Sequence, residues 1–345
     1  MNTTISKVYR DNIDKKIIEN AGKYIRKGSL VAFPTETVYG LGADGLNDKA
    51  CQKIFQAKGR PSDNPLILHI SDISMLYNLV NNINEQSKKL IESCWPGPLT
   101  IIFKKSNIIP KTVTAGLDTV AIRYPKDEIA LSLISAAKTP IAAPSANLSG
   151  KPSPTRAIDV YNDLNGKIPL IIDGGSCNIG IESTVIDLSD EIPIILRPGF
   201  FTYEYIKTIL PNVRLDDSII DSNVIPRSPG QKYTHYAPKA RMEIFVGNKA
   251  GEEMLIKAKD EKNNGKKVGI LIFEDKLKQF SDFLTISLGN RNDLEYMSHV
   301  LFTSLRMMDE DGVDLILAEG VSEEGLGKSI MNRMKKSASF NVNYV

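Results

Sequence analysis

Cysteine is scarce in this chain, and the three present, Cys51, Cys94 and Cys177, are scattered, odd in number and without a C-x-x-C pair. Neither a disulfide frame nor a zinc cage can be built from them. Free cysteine is among the most buried residue types, so these three carry no assigned chemistry. Long apolar runs are missing too. No stretch approaches the length of a membrane span, and residues 1–11 lack the apolar core and small-residue cleavage site of a secretory signal. We therefore expect a soluble, cytoplasmic protein without a membrane partner. Charge of one sign is also lacking: 43 Lys and Arg against 41 Asp and Glu leave a formal net charge of +2. That gives no global field for a polyanion. With a single tryptophan, a non-enzymatic RNA-binding module lacks the basic, aromatic-rich face it needs. No repeat period, low-complexity tract, Ser-His-Asp order or zinc-ligand cluster stands out.

What is there is an ordinary globular composition, 42% hydrophobic and 24% charged over 345 residues, long enough for two domains rather than one core. Ile13, Ile17, Ile18, Ala21, Tyr24 and Ile25 follow a 3.6-residue repeat, predicting a helix capped by Asp11 and stopped by Gly28. Strands are predicted at Ser29 to Phe33, Leu66 to Ile70, Leu99 to Phe103, Thr119 to Arg123, Ile141 to Ala143, Leu170 to Asp173, Thr184 to Leu188 and Ile194 to Arg197. Helices are predicted to start near Asn47, Asp127, Thr155 and Thr202. This is an α/β pattern, and the short spacing between Asp173 and Arg197 favours a mixed sheet. From Asn212 to about Arg241 the pattern breaks into charged and polar residues and prolines, read as a functional linker. Strands at Met242 to Val246, Lys267 to Phe273, Leu284 to Leu288 and Val313 to Glu319 then alternate with helices in a second, smaller α/β domain.

Two segments read as halves of one anion site. Lys58-Gly59-Arg60-Pro61-Ser62-Asp63-Asn64-Pro65 offers fixed cations, and Pro144-Ser145-Ala146-Asn147-Leu148-Ser149-Gly150 offers hydroxyl and amide donors. Proline and glycine keep both runs out of regular structure, leaving backbone N–H groups to face a ligand. Lys58 alone reads as a solvated helix C-terminus, and His69 alone as a satisfied core histidine. Pro34-Thr35-Glu36-Thr37 ends a strand with hydroxyls, where open α/β sheets bind ligands. Glu36 reads as a metal ligand or a cap. Arg123 reads as a fork for a substrate carboxylate or as an edge ion pair with Asp127. Glycines of Gly40-Leu41-Gly42-Ala43-Asp44-Gly45 match G-x-G-x-x-G, but Leu46 and Asn47 separate them from the next helix, and turn glycines explain them. Gly325-Leu326-Gly327-Lys328-Ser329 mimics the end of a P-loop with Ser322 where a glycine is required, and reads as a glycine-led helix start. Cations, hydroxyls and amides suit phosphoryl or nucleotidyl transfer, which rests on positioning and charge stabilisation.

Assembled in order, PTETVYGLG (Pro34 to Gly42), KGRPSDNPL (Lys58 to Leu66), WPGPLT (Trp95 to Thr100), PSANLSGKPSPT (Pro144 to Thr155), Glu182 to Val185 and Arg197 to Gly199 resemble the signature segments of the YrdC-like threonylcarbamoyl-AMP synthases. Ser228 to Pro238 and Gly325 to Ala338 extend the resemblance to the long form of that family. The resemblance implies a YrdC-like twisted mixed-sheet catalytic domain over 1–212, a linker or lid over 213–240, and a smaller Rossmann-like α/β domain over 241–345. It implies that L-threonine, bicarbonate and ATP, assisted by Mg²⁺, give threonylcarbamoyl-AMP and pyrophosphate. That is the first step of tRNA threonylcarbamoyladenosine formation, with a downstream threonylcarbamoyl transferase and tRNA as indirect partners. Lys58 and Arg60 would be the catalytic cations. Thr37, His69, Arg123, Ala143 and Ser183 would hold threonine. Lys58, Arg60, Asn64, Thr119, Ser145, Asn147, Ser153, Arg197, Tyr233 and Tyr236 would hold ATP, and no direct protein metal ligand is expected. Gln231, Thr234 and Asp127 depart from the family's pattern. Carbamoyl-transfer maturation enzymes share the YrdC-like unit, but their zinc modules need more cysteine than this chain has.

Overall fold

The computed structural model describes residues 2–220 and 236–345, which fall into two compact units. The first takes the described residues 2–149, 153–178 and 182–220, the second 150–152, 179–181 and 236–345. No helix among the described residues is long and apolar enough to cross a membrane.

The first unit's described residues form an eleven-stranded sheet. Its strands are β1 (Thr4–Lys7), β2 (Val31–Phe33), β3 (Gly40–Asp44), β4 (Ile67–His69), β5 (Leu99–Lys104), β6 (Thr119–Arg123), β7 (Ile141–Ala142), β8 (Leu170–Asp173), β9 (Thr184–Asp187), β10 (Ile194–Arg197) and β11 (Arg214–Leu215). They run in the order β1-β8-β2-β3-β7-β4-β6-β5-β9-β10-β11, with parallel pairs such as β4 with β6 and antiparallel pairs such as β5 with β6. The mixed sheet is as expected. Helices α1 (Lys15–Arg26), α2 (Asp48–Lys58), α3 (Ile73–Leu79), α4 (Glu85–Cys94), α5 (Lys111–Thr114), α6 (Glu128–Ala137), α7 (Ala157–Leu164), α8 (Tyr203–Ile209) and α9 (Asp217–Ile220) connect them.

Local chemistry sets the helix ends. Asn47, Asp127 and Thr202 cap α2, α6 and α8 through side-chain oxygens that accept from the first turn, contributing about 0.5–2 kcal/mol each. The cap of α1 is Asp14, which accepts from the N–H groups of Lys16 and Ile17, and not the Asp11 expected from the periodicity. Helix α7 starts at Ala157, after Arg156, rather than at Thr155. The Gly40 to Gly45 run is another correction. Gly40 and Gly42 lie in strand β3 as packing residues, since a Cβ on Gly42 would meet Ile141 at 2.8 Å and Phe33 at 2.9 Å, while Gly45 is in the turn that follows.

Register determines what each face of this sheet does. Leu68, Ile122, Ile101 and Ile186 point into the large core with Leu76 of α3, Leu90 of α4 and Ile206 of α8. On the other face Val31, Phe33, Ile141 and Ala143 are covered by Ile18 and Ile25 of α1 and Leu133 and Ile134 of α6. The two helices approach closely enough that a Cβ on Gly22 would lie 2.8 Å from the Ala136 backbone. Farther along that face Ile102, Ala121, Val185 and Leu196, with Ile67 and Ile194, form a cluster to which only strand residues belong. The same strands carry His69, Arg123 and Thr100 in register on this face.

In the second unit, β12 (Arg241–Val246), β13 (Val268–Ile272), β14 (Leu284–Ser287), β15 (Leu315–Glu319) and β16 (Val342–Tyr344) form an all-parallel sheet in the order β14-β13-β15-β12-β16. Helices α10 (Ala250–Asn263), α11 (Leu294–Glu310) and α12 (Leu326–Ser337) accompany it. Ile270, Leu317, Met254 and Phe245 fill its core. This is the expected Rossmann-like unit, with α12 led by Gly325.

Candidate active site

Lys58 is the last residue of α2, which ends because Gly59 takes the left-handed conformation at φ 62°. Its side chain does not run to solvent. It is 3% exposed, and its Nζ donates to the carbonyls of Ser145 and Asn147, both at 2.5 Å, and to Asn147 Oδ1 at 3.3 Å. The Ser149 N–H donates to the Lys58 carbonyl, and Ser145 Oγ donates to Asn147 Oδ1. The two sequence segments therefore meet, with an ammonium between them. Arg60 Nη2 donates to the carbonyls of Asn64 and Pro65 at 3.4 and 3.3 Å, which braces the proline-bounded turn. Asn64 is buried.

A second group lies where β5, β6, β9 and β10 run side by side. Thr100 Oγ1 and Ser183 Oγ are 2.8 Å apart. Arg197 donates through Nε to the Ser183 carbonyl at 3.0 Å and through Nη2 to its hydroxyl at 3.1 Å. Ser153 donates to Glu182, next in sequence to Ser183. Thr100 is paired in register with Arg123, whose Nη2 is 2.7 Å from Glu36 Oε2. Glu36 is thus the ion-pair partner of Arg123, and Arg123 does not pair with Asp127. Asp127 instead caps α6 and binds Arg10 at 3.0 Å, and burial raises its carboxyl. Thr37 is buried beside Thr35, their hydroxyls 2.8 Å apart.

His69 and Arg123 are register partners on β4 and β6. His69 Nδ1 lies 3.2 Å from the Ile67 carbonyl, and its ring is edge-on to Phe33. Burial first, then the nearby Arg123 cation, hold this imidazole at about 3, so it is neutral at pH 7. Ala143 donates its N–H to the Ile67 carbonyl, one residue before the anion loop. That loop and residues 37–41 are stitched together: Ala146 donates to the Tyr39 carbonyl, Leu41 to that of Pro144, and Tyr39 to that of Pro154. The Lys58 group and the Arg123 group are thereby borders of one region. Thr119, at the other end of β6 from Arg123, opens into a cavity of about 270 Å³ on this face, lined also by Lys104, Ala121, Ile102, Leu196 and Asp187.

Burial pushes the Cys51 and Cys94 thiols up to about 12 and raises Cys177 as well, so none is a ready nucleophile. Tyr233 falls outside the described residues, as do Gln231 and Thr234. Tyr236 belongs to the second unit, 5% exposed, its ring 5.1 Å from that of Phe302. The sequence reading passed over Thr100 and the pairing of Glu36. The signals were a hydroxyl inside the apolar run Leu99 to Phe103 and a carboxylate in a strand-end loop. Together these residues offer fixed cations, hydroxyls and a guanidinium–carboxylate pair, with no exposed nucleophile. That equipment positions anions and stabilises developing charge.

Residues 23–199 match the Sua5/YciO/YrdC family, described as "Telomere recombination", and residues 201–339 match the C-terminal domain of threonylcarbamoyl-AMP synthase. The threonylcarbamoyl-AMP synthase of Pyrococcus abyssi is 46% identical over 339 residues, 96% of this chain and 97% of the relative. That of Bacillus subtilis is 48% identical over 322 residues, 93% and 92%. Among solved structures, P. abyssi Sua5 complexed with L-threonine superposes with a TM-score of 0.94 at 45% identity, covering 99% of each chain.

Proposed function

The chain belongs to the threonylcarbamoyl-AMP synthase family, and from that premise we propose how this sheet face carries out the family's reaction. It is a nucleotidyltransferase that makes threonylcarbamoyl-AMP, the activated group used in tRNA threonylcarbamoyladenosine formation. The observation that carries the site assignment is the meeting of two groups in one region: a buried ammonium within the 144–150 loop, and Arg123 facing Glu36 beside Ser183. L-threonine occupies the Arg123 side, against Thr37, His69, Ala143 and Ser183. The P. abyssi structure complexed with L-threonine supports threonine as the ligand. ATP lies along Lys58, Arg60, Asn64, Ser145, Asn147, Ser153 and Arg197, extending toward Thr119. Tyr233 and Tyr236 are assigned to it from the linker motif alone.

Bicarbonate converts the threonine amine to a carbamate, which is already an anion, so attack on the α-phosphate needs alignment more than a strong base. Alignment of the carbamate with the departing pyrophosphate supplies about 7–11 kcal/mol. Each cation-assisted hydrogen bond from Lys58 or Arg60 adds about 1.5–3 kcal/mol. The neutral His69 fits a hydrogen-bonding role rather than a charged one. No group of three candidate metal-ligating side chains gathers among the described residues. Mg²⁺, as part of this proposal, would come bound to the triphosphate and neutralise its charge there. A product destined for tRNA fits a cytoplasmic reaction.

Purified protein will release pyrophosphate from ATP when threonine and bicarbonate are both supplied, and not when either is omitted. Equal release without threonine sinks the assignment.

A further inference from the structure

Glu36 is a buried carboxylate whose partner, Arg123, is already assigned to another task. Its side chain is 8% exposed and that of Arg123 6%, with 2.7 Å between them. The contact is poorly aligned: neither Glu36 oxygen, nor Arg123 Nε or Nη2, makes a well-directed hydrogen bond to any described residue. By contrast, Arg197 is hydrogen-bonded to Ser183 and Lys58 to Asn147 in good geometry. A buried ion pair repays its desolvation only when its remaining donors and acceptors are filled. As a purely structural link this pair is therefore poor, whereas as two separate docking points it is well equipped.

A guanidinium and a carboxylate facing each other complement one chemical class above others, a zwitterion with its own carboxylate and ammonium a few bonds apart. Resting on the threonine reading above, we propose that the amino acid displaces this contact, the pair parting so that its carboxylate takes Arg123 and its α-ammonium takes Glu36. Glu36 is then a specificity-determining residue. It admits α-amino acids and rejects α-hydroxy acids, which place no cation beside it. The same contact favours forward reaction. Carbamate formation from the bound ammonium and bicarbonate (R–NH₃⁺ + HCO₃⁻ → R–NHCOO⁻ + H₂O + H⁺) releases water and a proton to solvent, so the group beside Glu36 changes from cation to anion, and repulsion turns it toward the cations Lys58 and Arg60.

The test is calorimetric binding of L-threonine and of its α-hydroxy analogue, 2,3-dihydroxybutyrate, to the full chain and to Glu36→Gln. Wild type will prefer threonine by at least about tenfold, as a charge-assisted hydrogen bond provides. Glu36→Gln will lose that preference by weakening threonine while leaving the hydroxy acid bound as well or better, since Arg123 is released. Glu36→Asp, which keeps the charge, will restore part of the preference, and serves if Glu36→Gln does not fold. Equal weakening of both ligands would make Glu36 a mere prop for Arg123 and overturn the proposal, as would equal binding of both by wild type. Pyrophosphate release by wild type, measured alongside, separates the outcomes: if it persists while the preference is absent, only the Glu36 assignment fails.

Discussion

Lys58 and Arg60 stand two residues apart but are held in different ways, so their substitutions separate activity from stability. Lys58 is buried and fixed by three acceptors, whereas Arg60 is half-buried and touches backbone carbonyls at 3.3 to 3.4 Å. Arg60→Ala will reduce kcat/KM for ATP by about 100-fold or more, the scale seen when one charge-stabilising donor is lost, with the melting temperature nearly unchanged. Kinetics equal to wild type refute its role. Lys58→Met will also abolish turnover but cost about 1.5–3 kcal/mol of stability, since it leaves buried acceptors without their charged donor; urea unfolding distinguishes the two variants. His69 adds a pH dependence. Its imidazole titrates at about 3 when folded against an ordinary value of 6.5. Between those values the unfolded chain binds a proton that the folded chain does not, so stability falls as pH drops from about 6.5 toward 3, by up to about 1.4 kcal/mol per pH unit. Urea unfolding from pH 7 to pH 5 will show this slope, and His69→Gln will flatten it by one proton. An unaltered slope in His69→Gln would mean that the ring is not held neutral.

At the scale of elements, what the sequence disclosed depended on whether a signal was local. Strands such as β5 and β6 were legible because their apolar runs are bounded by turn residues, and the caps Asn47, Asp127 and Thr202 because a cap is chosen within three residues of its helix. Strand β3 was not, because Gly40 and Gly42 are selected by the close approach of Phe33, Ala143 and Ile141, a tertiary reason that looks locally like a turn. Edge strand β1 was missed because it is short and largely exposed. Asp11 and Asp14 cannot be ranked by periodicity alone, and only the contacts to Lys16 and Ile17 decide. In the site, the individual residues were legible through motifs, while the partnership of Glu36 with Arg123 was not. It joins a loop to the end of β6, 87 positions apart in sequence, and neither residue carries a local mark of the other. Arg10 with Asp127 is the same case: the chain's first residues fix the turn after β6, which no spacing rule announces.

At the scale of the molecule, the question is what the linker and the second unit add to a first unit that already contains the threonine and phosphate residues. Arg123, Ser183, Thr100, His69 and Lys58 all belong to the first unit, whose cores are built from its own strands and helices. Under the proposed assignment, binding of threonine needs nothing beyond it. The linker motif around Tyr233, assigned to ATP by resemblance alone, is proposed to serve at a different step, the transfer to the α-phosphate. Truncation before Arg227 thus has a divided outcome. Threonine affinity by calorimetry will stay within about threefold of wild type, while pyrophosphate release will fall by about 100-fold, the pattern of a lost transition-state contribution rather than lost ground-state binding. Full activity in the truncated protein would make the linker a passive spacer. Loss of threonine affinity together with turnover would instead place part of the amino-acid site beyond the first unit.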